Sequence, residues 1–184
     1  EILNEYTLLT GRSALPTKQS LGYCASTMYY AELEKNCDEE IYKVIDKHEK
    51  EGILIDNFWL ASGYSSGEKD NLRYVFNWNY KRFPEPEKFF ENMNARGINV
   101  STTHIDLFEK NDVFIKTPDG KAPYYGRWWG GEGRFFDFTG PNGRNTWKQL
   151  LEENILKKGT KTVWNDNCEM DGVEDRDAQC DFEG

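Results

Sequence analysis

The stretch Asp38-Glu39-Glu40-Ile41-Tyr42-Lys43-Val44-Ile45-Asp46-Lys47-His48-Glu49-Lys50-Glu51-Gly52-Ile53-Leu54-Ile55-Asp56-Asn57-Phe58-Trp59-Leu60 decides the fold. Ile41, Val44, Ile45 and His48 fall at i, i+3, i+4 and i+7, one face of an amphipathic helix. Asp38, Glu39 and Glu40 stand at its start, where the helix dipole favours negative charge. Gly52 stands where a left-handed residue closes a helix. A strand, 53–60, follows with no linker. The same arrangement recurs downstream. Pro84-Glu85-Pro86 opens a second helix, Phe89, Phe90 and Met93 form its apolar stripe, Gly97 ends it, and a strand runs over 98–103. A third helix carries Trp147, Leu150, Leu151 and Ile155, ends at Gly159 and leads into a strand over 160–164. Upstream, Leu21-Gly22-Tyr23-Cys24-Ala25 supplies the first apolar run.

Strand and helix in alternation imply a parallel sheet with right-handed crossovers. Helix-to-strand turns are almost absent, whereas the strand-to-helix connections are long. In a β/α barrel the short turns form the bottom and the long loops build the active site. The reading is therefore α/β, a (β/α)8 TIM barrel. A whole barrel needs about 250 residues, so residues 1–184 supply the N-terminal half, about the first four strands. Residues 1–20 read as a lead-in segment, and 117–141, rich in Gly, Pro and aromatics, as a loop on the active-site side. A doubly wound, flavodoxin-like sheet is the alternative, but no Gly-rich phosphate loop follows the first strand.

Composition narrows the partners. The net charge is -9, from 32 acidic and 23 basic residues, so the chain would repel a phosphate backbone, and nucleic acid is not expected. No apolar run approaches the roughly 20 residues of a membrane helix, so no membrane partner is expected. The sequence opens at Glu1-Ile2-Leu3 without a basic leader and closes at Phe182-Glu183-Gly184 without a capping pattern; both ends read as cut. Nothing in the sequence assigns a compartment. Cys24, Cys37, Cys168 and Cys180 are irregularly spaced, and two histidines cannot complete a zinc set with them, so free thiols are expected. Aromatics, 15% of the chain, concentrate in otherwise polar segments. They serve either as core or as platforms for C–H-rich sugar rings.

The segment Val163-Trp164-Asn165-Asp166-Asn167-Cys168-Glu169-Met170 leaves the C-terminal end of the fourth strand, where barrel enzymes place catalytic groups. Asp166 and Glu169 are two carboxylates on one tight turn. Glycoside hydrolysis needs one carboxylate beneath the anomeric carbon and another near the leaving oxygen. A calcium loop counted from Asn167 through Glu169, Asp171 and Gly172 fails, because its twelfth position is Ala178 rather than glutamate. No metal site and no cofactor are expected.

Several stretches resemble glycoside hydrolase family 31, in the family's order and over nearly the whole chain. They are Tyr6-Thr7-Leu8-Leu9-Thr10-Gly11 with Ala14-Leu15-Pro16 and Leu21-Gly22-Tyr23, then Arg73-Tyr74-Val75-Phe76-Asn77-Trp78-Asn79 with Arg82-Phe83-Pro84. Phe136-Asp137-Phe138-Thr139 with Pro141 is similar to a D-F-T-N-P motif, and Trp164-Asn165-Asp166-Asn167-Cys168-Glu169 to the W-x-D-x-x-E nucleophile motif. The resemblance implies a retaining α-glycosidase working by double displacement on α-linked glucosides or oligosaccharides. Asp166 matches the nucleophile and Glu169 the supporting glutamate. Trp164 and Asn165 would shape the floor of the sugar site, and Trp129 is a candidate sugar-contacting ring or a lid-packing residue. The acid/base aspartate would come from the remainder of the barrel, so the segment alone would be inactive.

Departures bear on specificity. Ala61 stands where most α-glucosidases of the family carry an aspartate. The third strand lacks the usual aspartate-proline ending; Asp106 reads as a solvated loop residue and His104 as a hydrogen-bonded strand-end residue. An α-N-acetylgalactosaminidase or a transglycosylase of the same family is the alternative. From another class, a non-catalytic carbohydrate-binding domain would use the aromatic surface.

Overall fold

A computed structural model describes residues 1–74, 76–102, 111–128, 131–164 and 173–182. In chain order the elements are α1 (Ile2–Thr10), β1 (Cys24–Ser26), α2 (Met28–Ala31), α3 (Cys37–Lys50), β2 (Asn57–Leu60), α4 (Pro86–Ala95), β3 (Asn99–Thr102), β4 (Tyr125–Trp128), β5 (Gly131–Arg134), α5 (Pro141–Asn154) and β6 (Thr162–Val163). β1, β2, β3 and β6 form one sheet in that spatial order, and every pairing is parallel. This is the strand–helix alternation of a half barrel. β4 and β5 make a separate antiparallel hairpin.

Alternation along the strands separates two faces. Phe58, Leu60 and Val100 point to the helices and are buried with Ile41 and Ile45 of α3 and Phe89, Phe90 and Met93 of α4. Asn57, Trp59, Ser101 and Thr162 take the other face. The helix signals hold. Cys37, Ile41 and Ile45 are the buried stripe of α3, its first turn is acidic, and Gly52 just past its end has φ 71°. Pro86 opens α4, and Gly97 beyond it has φ 77°.

The centre of the core is aromatic. The Trp78 ring lies 4.6 Å from that of Tyr64, 5.7 Å from Phe90 and 6.2 Å from Phe83. Its indole N–H donates to the Asn154 carbonyl at 2.9 Å, which ties the end of α5 to the β2–α4 connection. A buried indole needs such a partner, and the edge-on geometry adds to area burial.

Three features differ from the sequence reading. The strands are shorter than their apolar runs: β2 starts at Asn57, and Ile53 and Leu54 are exposed. Residues 52–53 are used to close α3, with Gly52 N–H donating to Glu49 O and Ile53 N–H to His48 O. The β4–β5 hairpin lies inside the expected loop 117–141; glycine faces glycine at Gly126 and Gly133, which hides the strand pattern. The lead-in 1–20 contains α1, whose apolar residues Ile2, Leu3, Tyr6 and Leu9 are all exposed. Cys24, Cys37 and Cys180 are free thiols, and Cys168 lies outside the described residues. No helix among the described residues is long and apolar enough to cross a membrane.

Two outcomes follow from this packing. Phe90, 1% exposed, contacts Trp78 and Phe89 edge-on; Phe90→Ala is expected to lower stability by about 3–5 kcal/mol in denaturant unfolding of the full-length protein. Burial pushes the Cys37 thiol up to about 11. At pH 8 a maleimide is expected to label exposed Cys24 and to leave Cys37 unmodified until the protein is unfolded, as read by peptide mass.

Candidate functional site

The C-terminal ends of β1, β2, β3 and β6 gather at one end of the sheet, and Trp164 follows β6 directly. Its ring tilts against that of Trp59, with centroids 4.8 Å apart and planes at 46°. Trp59 is held from both neighbouring strands. It pairs in register with Ser26 of β1 and Ser101 of β3. The Ser26 hydroxyl donates to the Trp59 carbonyl at 2.8 Å, and the Ser101 and Thr162 hydroxyls hydrogen-bond across β3 and β6. The inner face is thus polar, with an aromatic pair at the C-terminal end of its strands. Sequence reading singled out Trp164 but not Trp59. The available signal was the alternation in Asn57-Phe58-Trp59-Leu60, which turns Trp59 away from the core. Asn165, Asp166, Glu169 and Trp129 lie outside the described residues, as do His104 and Asp106.

The connection after β2 is built around two arginines that the sequence reading quoted only as motif. Ala61 is buried at the strand end, and Ser62–Ser65 makes a buried 3-10 turn. Arg82, 9% exposed, donates from Nε to Leu33 O at 2.9 Å, from Nη1 to Gly63 O at 2.8 Å and Ser66 Oγ at 2.7 Å, and from Nη2 to Asn71 Oδ1 at 3.1 Å. Its planar fork satisfies acceptors that would otherwise be orphaned by burial. Arg73 pairs with Glu32 and donates from Nε to Ser62 Oγ at 3.2 Å. A Cβ at Gly63 would stand 2.3 Å from Ala31 O, so only glycine allows the turn this close to α2. These contacts fix the loop beside Ala61.

The third component lies past β3. Asp137 is buried, 4% exposed, and its carboxylate accepts from Thr139 N–H at 3.0 Å, Thr139 Oγ1 at 2.5 Å and Asp181 N–H at 2.5 Å. Burial alone would raise its carboxyl, but the hydrogen bonds from Thr139, Asp181 and Gly140 outweigh it and hold the carboxyl below the ordinary carboxylate range. Phe114 and Phe136 pack beneath this turn, with Trp147 and Leu150 of α5 against them.

Four parallel strands alternating with helices, their C-terminal ends gathered at one rim, form half of a TIM barrel. Residues 13–183 match the family model described as the glycosyl hydrolases family 31 TIM-barrel domain, and the chain belongs to that family. It is 27% identical over 176 residues to an alpha-glucosidase of Saccharolobus solfataricus, covering 90% of this chain and 24% of that protein. To neutral alpha-glucosidase C of Macaca fascicularis it is 28% identical over 180 residues, covering 90% of this chain and 22% of the relative. The chain thus spans about a quarter of the length of these relatives. A Flavobacterium johnsoniae GH31 dextranase complexed with glucose superposes with a TM-score of 0.77 at 20% identity, covering 98% of this chain and 23% of that one, which shows the shared fold.

Asp137 gives the site a pH dependence. Its folded carboxyl titrates lower than in the unfolded chain, so its contribution to stability is present above about pH 4 and is lost as pH falls through the depressed folded value. Asp137→Asn is expected to flatten the acid limb of the stability–pH curve of the full-length protein, measured by thermal melts between pH 3 and pH 6.

Proposed function

We propose that this chain is the N-terminal half of the catalytic barrel of a retaining α-glycoside hydrolase acting on α-linked glucosides or oligosaccharides, with Asp166 as nucleophile. The observation that carries the reading is Trp164, which leaves β6 on the Trp59 ring at the catalytic end of the sheet, two positions before Asp166. The family membership and the alpha-glucosidase relatives support the reaction and the substrate class.

The Asp166 carboxylate attacks the anomeric carbon while a carboxylic acid gives its proton to the leaving oxygen, and the glycosidic C–O bond breaks. A covalent glycosyl ester forms with inverted configuration. Water, deprotonated by the same acid/base group, then displaces Asp166 and restores the α anomer. The two carboxyl groups stand about 5–5.5 Å apart in such enzymes. The acid/base group is supplied from outside residues 1–184, by the rest of the barrel, and the isolated segment is inactive. Glu169 supports the nucleophile, Trp164 and Asn165 form the floor of the sugar site, and Trp129 contacts the sugar.

Ala61 favours a second reading within the same chemistry. Its buried methyl leaves the end of β2 without a charged hydrogen-bond partner for a remote sugar hydroxyl, a difference of about 1.5–3 kcal/mol in recognition. An α-N-acetylgalactosaminidase or a transglycosylase fits such a site, and product analysis on maltose, isomaltose and an aryl α-N-acetylgalactosaminide separates them.

In the full-length enzyme Asp166→Ala is expected to lower turnover of an aryl α-glycoside by about a thousandfold or more. Azide should restore part of it by forming a glycosyl azide, and the wild-type product should appear by NMR as the α anomer. Undiminished activity in Asp166→Ala would support a sugar-binding role for this domain instead.

A further inference from the structure

The described chain on either side of residues 165–172 is anchored. Before them, Trp164 rests on Trp59. After them, the segment 173–182 docks onto the connection between β3 and α5 through its backbone. Lys116 and Gln179 exchange two main-chain hydrogen bonds, at 2.8 and 2.9 Å. The Tyr124 hydroxyl accepts from Glu174 N–H at 3.1 Å and from Asp175 N–H at 3.2 Å. Gln179 Nε2 donates to Pro118 O, and Lys116 Nζ reaches the Asp181 carboxylate at 3.2 Å.

The buried end of this seam is Asp137. One oxygen of its carboxylate takes both donors of Thr139, and the other takes the Asp181 N–H. Nothing around it can move easily. A Cβ at Gly143 would stand 2.0 Å from Asp137 O, so the first turn of α5 presses directly on this residue, and a Cβ at Gly140 would stand 3.1 Å from Asp181 Cβ. Charge-assisted bonds from backbone N–H groups to a carboxylate are short and strong, and inside the protein they are not traded for water. The seam therefore joins residues 173–182 to a rigid post between the β4–β5 hairpin and α5.

We propose that Asp137 is a positioning residue for the glycosylation step: its carboxylate clamps residues 173–182 onto the β3–α5 connection, and the reactivity of Asp166 depends on that anchorage. Asp137 touches neither substrate nor reacting atoms. It acts through residues 173–182, with Tyr124 as a second fastening of the same segment. The inference rests on Asp166 being the nucleophile and adds to that reading what holds it in line. A nucleophile displaced by about 1 Å loses on the order of a hundredfold in rate while the sugar subsite is untouched, so the effect belongs in kcat rather than in KM.

The test uses the full-length enzyme with Asp137→Asn and, separately, Tyr124→Phe. Asparagine keeps the size but replaces one charged acceptor oxygen with an amide, and phenylalanine removes only the hydroxyl. Competent sites are counted with a slow-turnover fluoroglycoside. Turnover per competent site is expected to fall about ten- to a hundredfold in Asp137→Asn and less in Tyr124→Phe, with KM within about threefold of wild type. Single-turnover release of the aryl aglycone, which reads the glycosylation step directly, should slow by about ten- to a hundredfold in Asp137→Asn. Unchanged turnover per competent site in Tyr124→Phe and in whatever fraction of Asp137→Asn folds would overturn the clamp, as would a rise in KM alone. Asp166→Ala with azide separates the two readings. If it is inactive and rescued while Asp137→Asn turns over normally, the clamp alone fails; if it is fully active, the assignment of Asp166 itself fails.

Discussion

Ser26, Trp59, Ser101 and Thr162 stand side by side across four parallel strands, and that register sets the direction in which every functional group leaves the sheet. Because the strands are parallel, their C-terminal ends meet at one rim. Because side chains alternate, the residues facing α3 and α4 must be apolar while those facing inward are free to be polar. The hydroxyl bonds from Ser26 to Trp59 and between Ser101 and Thr162 lock the register from within. A slip of one residue would turn Phe58 and Leu60 out of the core and Trp59 into it. The Trp59–Trp164 contact at the rim exists only in this register.

Around that rim, three connections are stiffened by different means. The loop after β1 runs into α2, which meets Gly63 of the next loop at backbone distance. The loop after β2 is held by Arg82 and by the Arg73–Glu32 pair. The long connection after β3 carries its own small core, Val113, Phe114 and Phe136 beneath Trp147, and binds the 173–182 segment along one edge. Buried, fully satisfied polar groups confine a loop to one conformation more narrowly than apolar contact does.

The fold was legible in the sequence because its signals are local. The stripe of Ile41 and Ile45, the stripe of Phe89, Phe90 and Met93, and the closing glycines Gly52 and Gly97 each follow from helix period and left-handed backbone, with no knowledge of tertiary contacts. Strand limits were not, since a ladder ends where its neighbour does: Ile53 and Leu54 look like strand and are instead the exit from α3. The hairpin at 125–134 was hidden because glycine at Gly126 and Gly133 removes the side chains that mark a strand. In the candidate site, Trp164 was singled out through its motif. Trp59 was not, and Arg82 and Asp137 were quoted only within motifs, because their roles are pairings between segments far apart in sequence. Asp137 and Asp181 are one example, and Trp78 with Asn154 is another.

The central claim is that a single strand-end carboxylate becomes covalently attached to the sugar. Mass spectrometry of peptides from the full-length enzyme, trapped with a slow-turnover fluoroglycoside, tests it directly. The account predicts one glycosyl ester, on the peptide containing Trp164-Asn165-Asp166, at Asp166. An ester on a different carboxylate, or steady turnover of the reagent with no adduct at all, would contradict it.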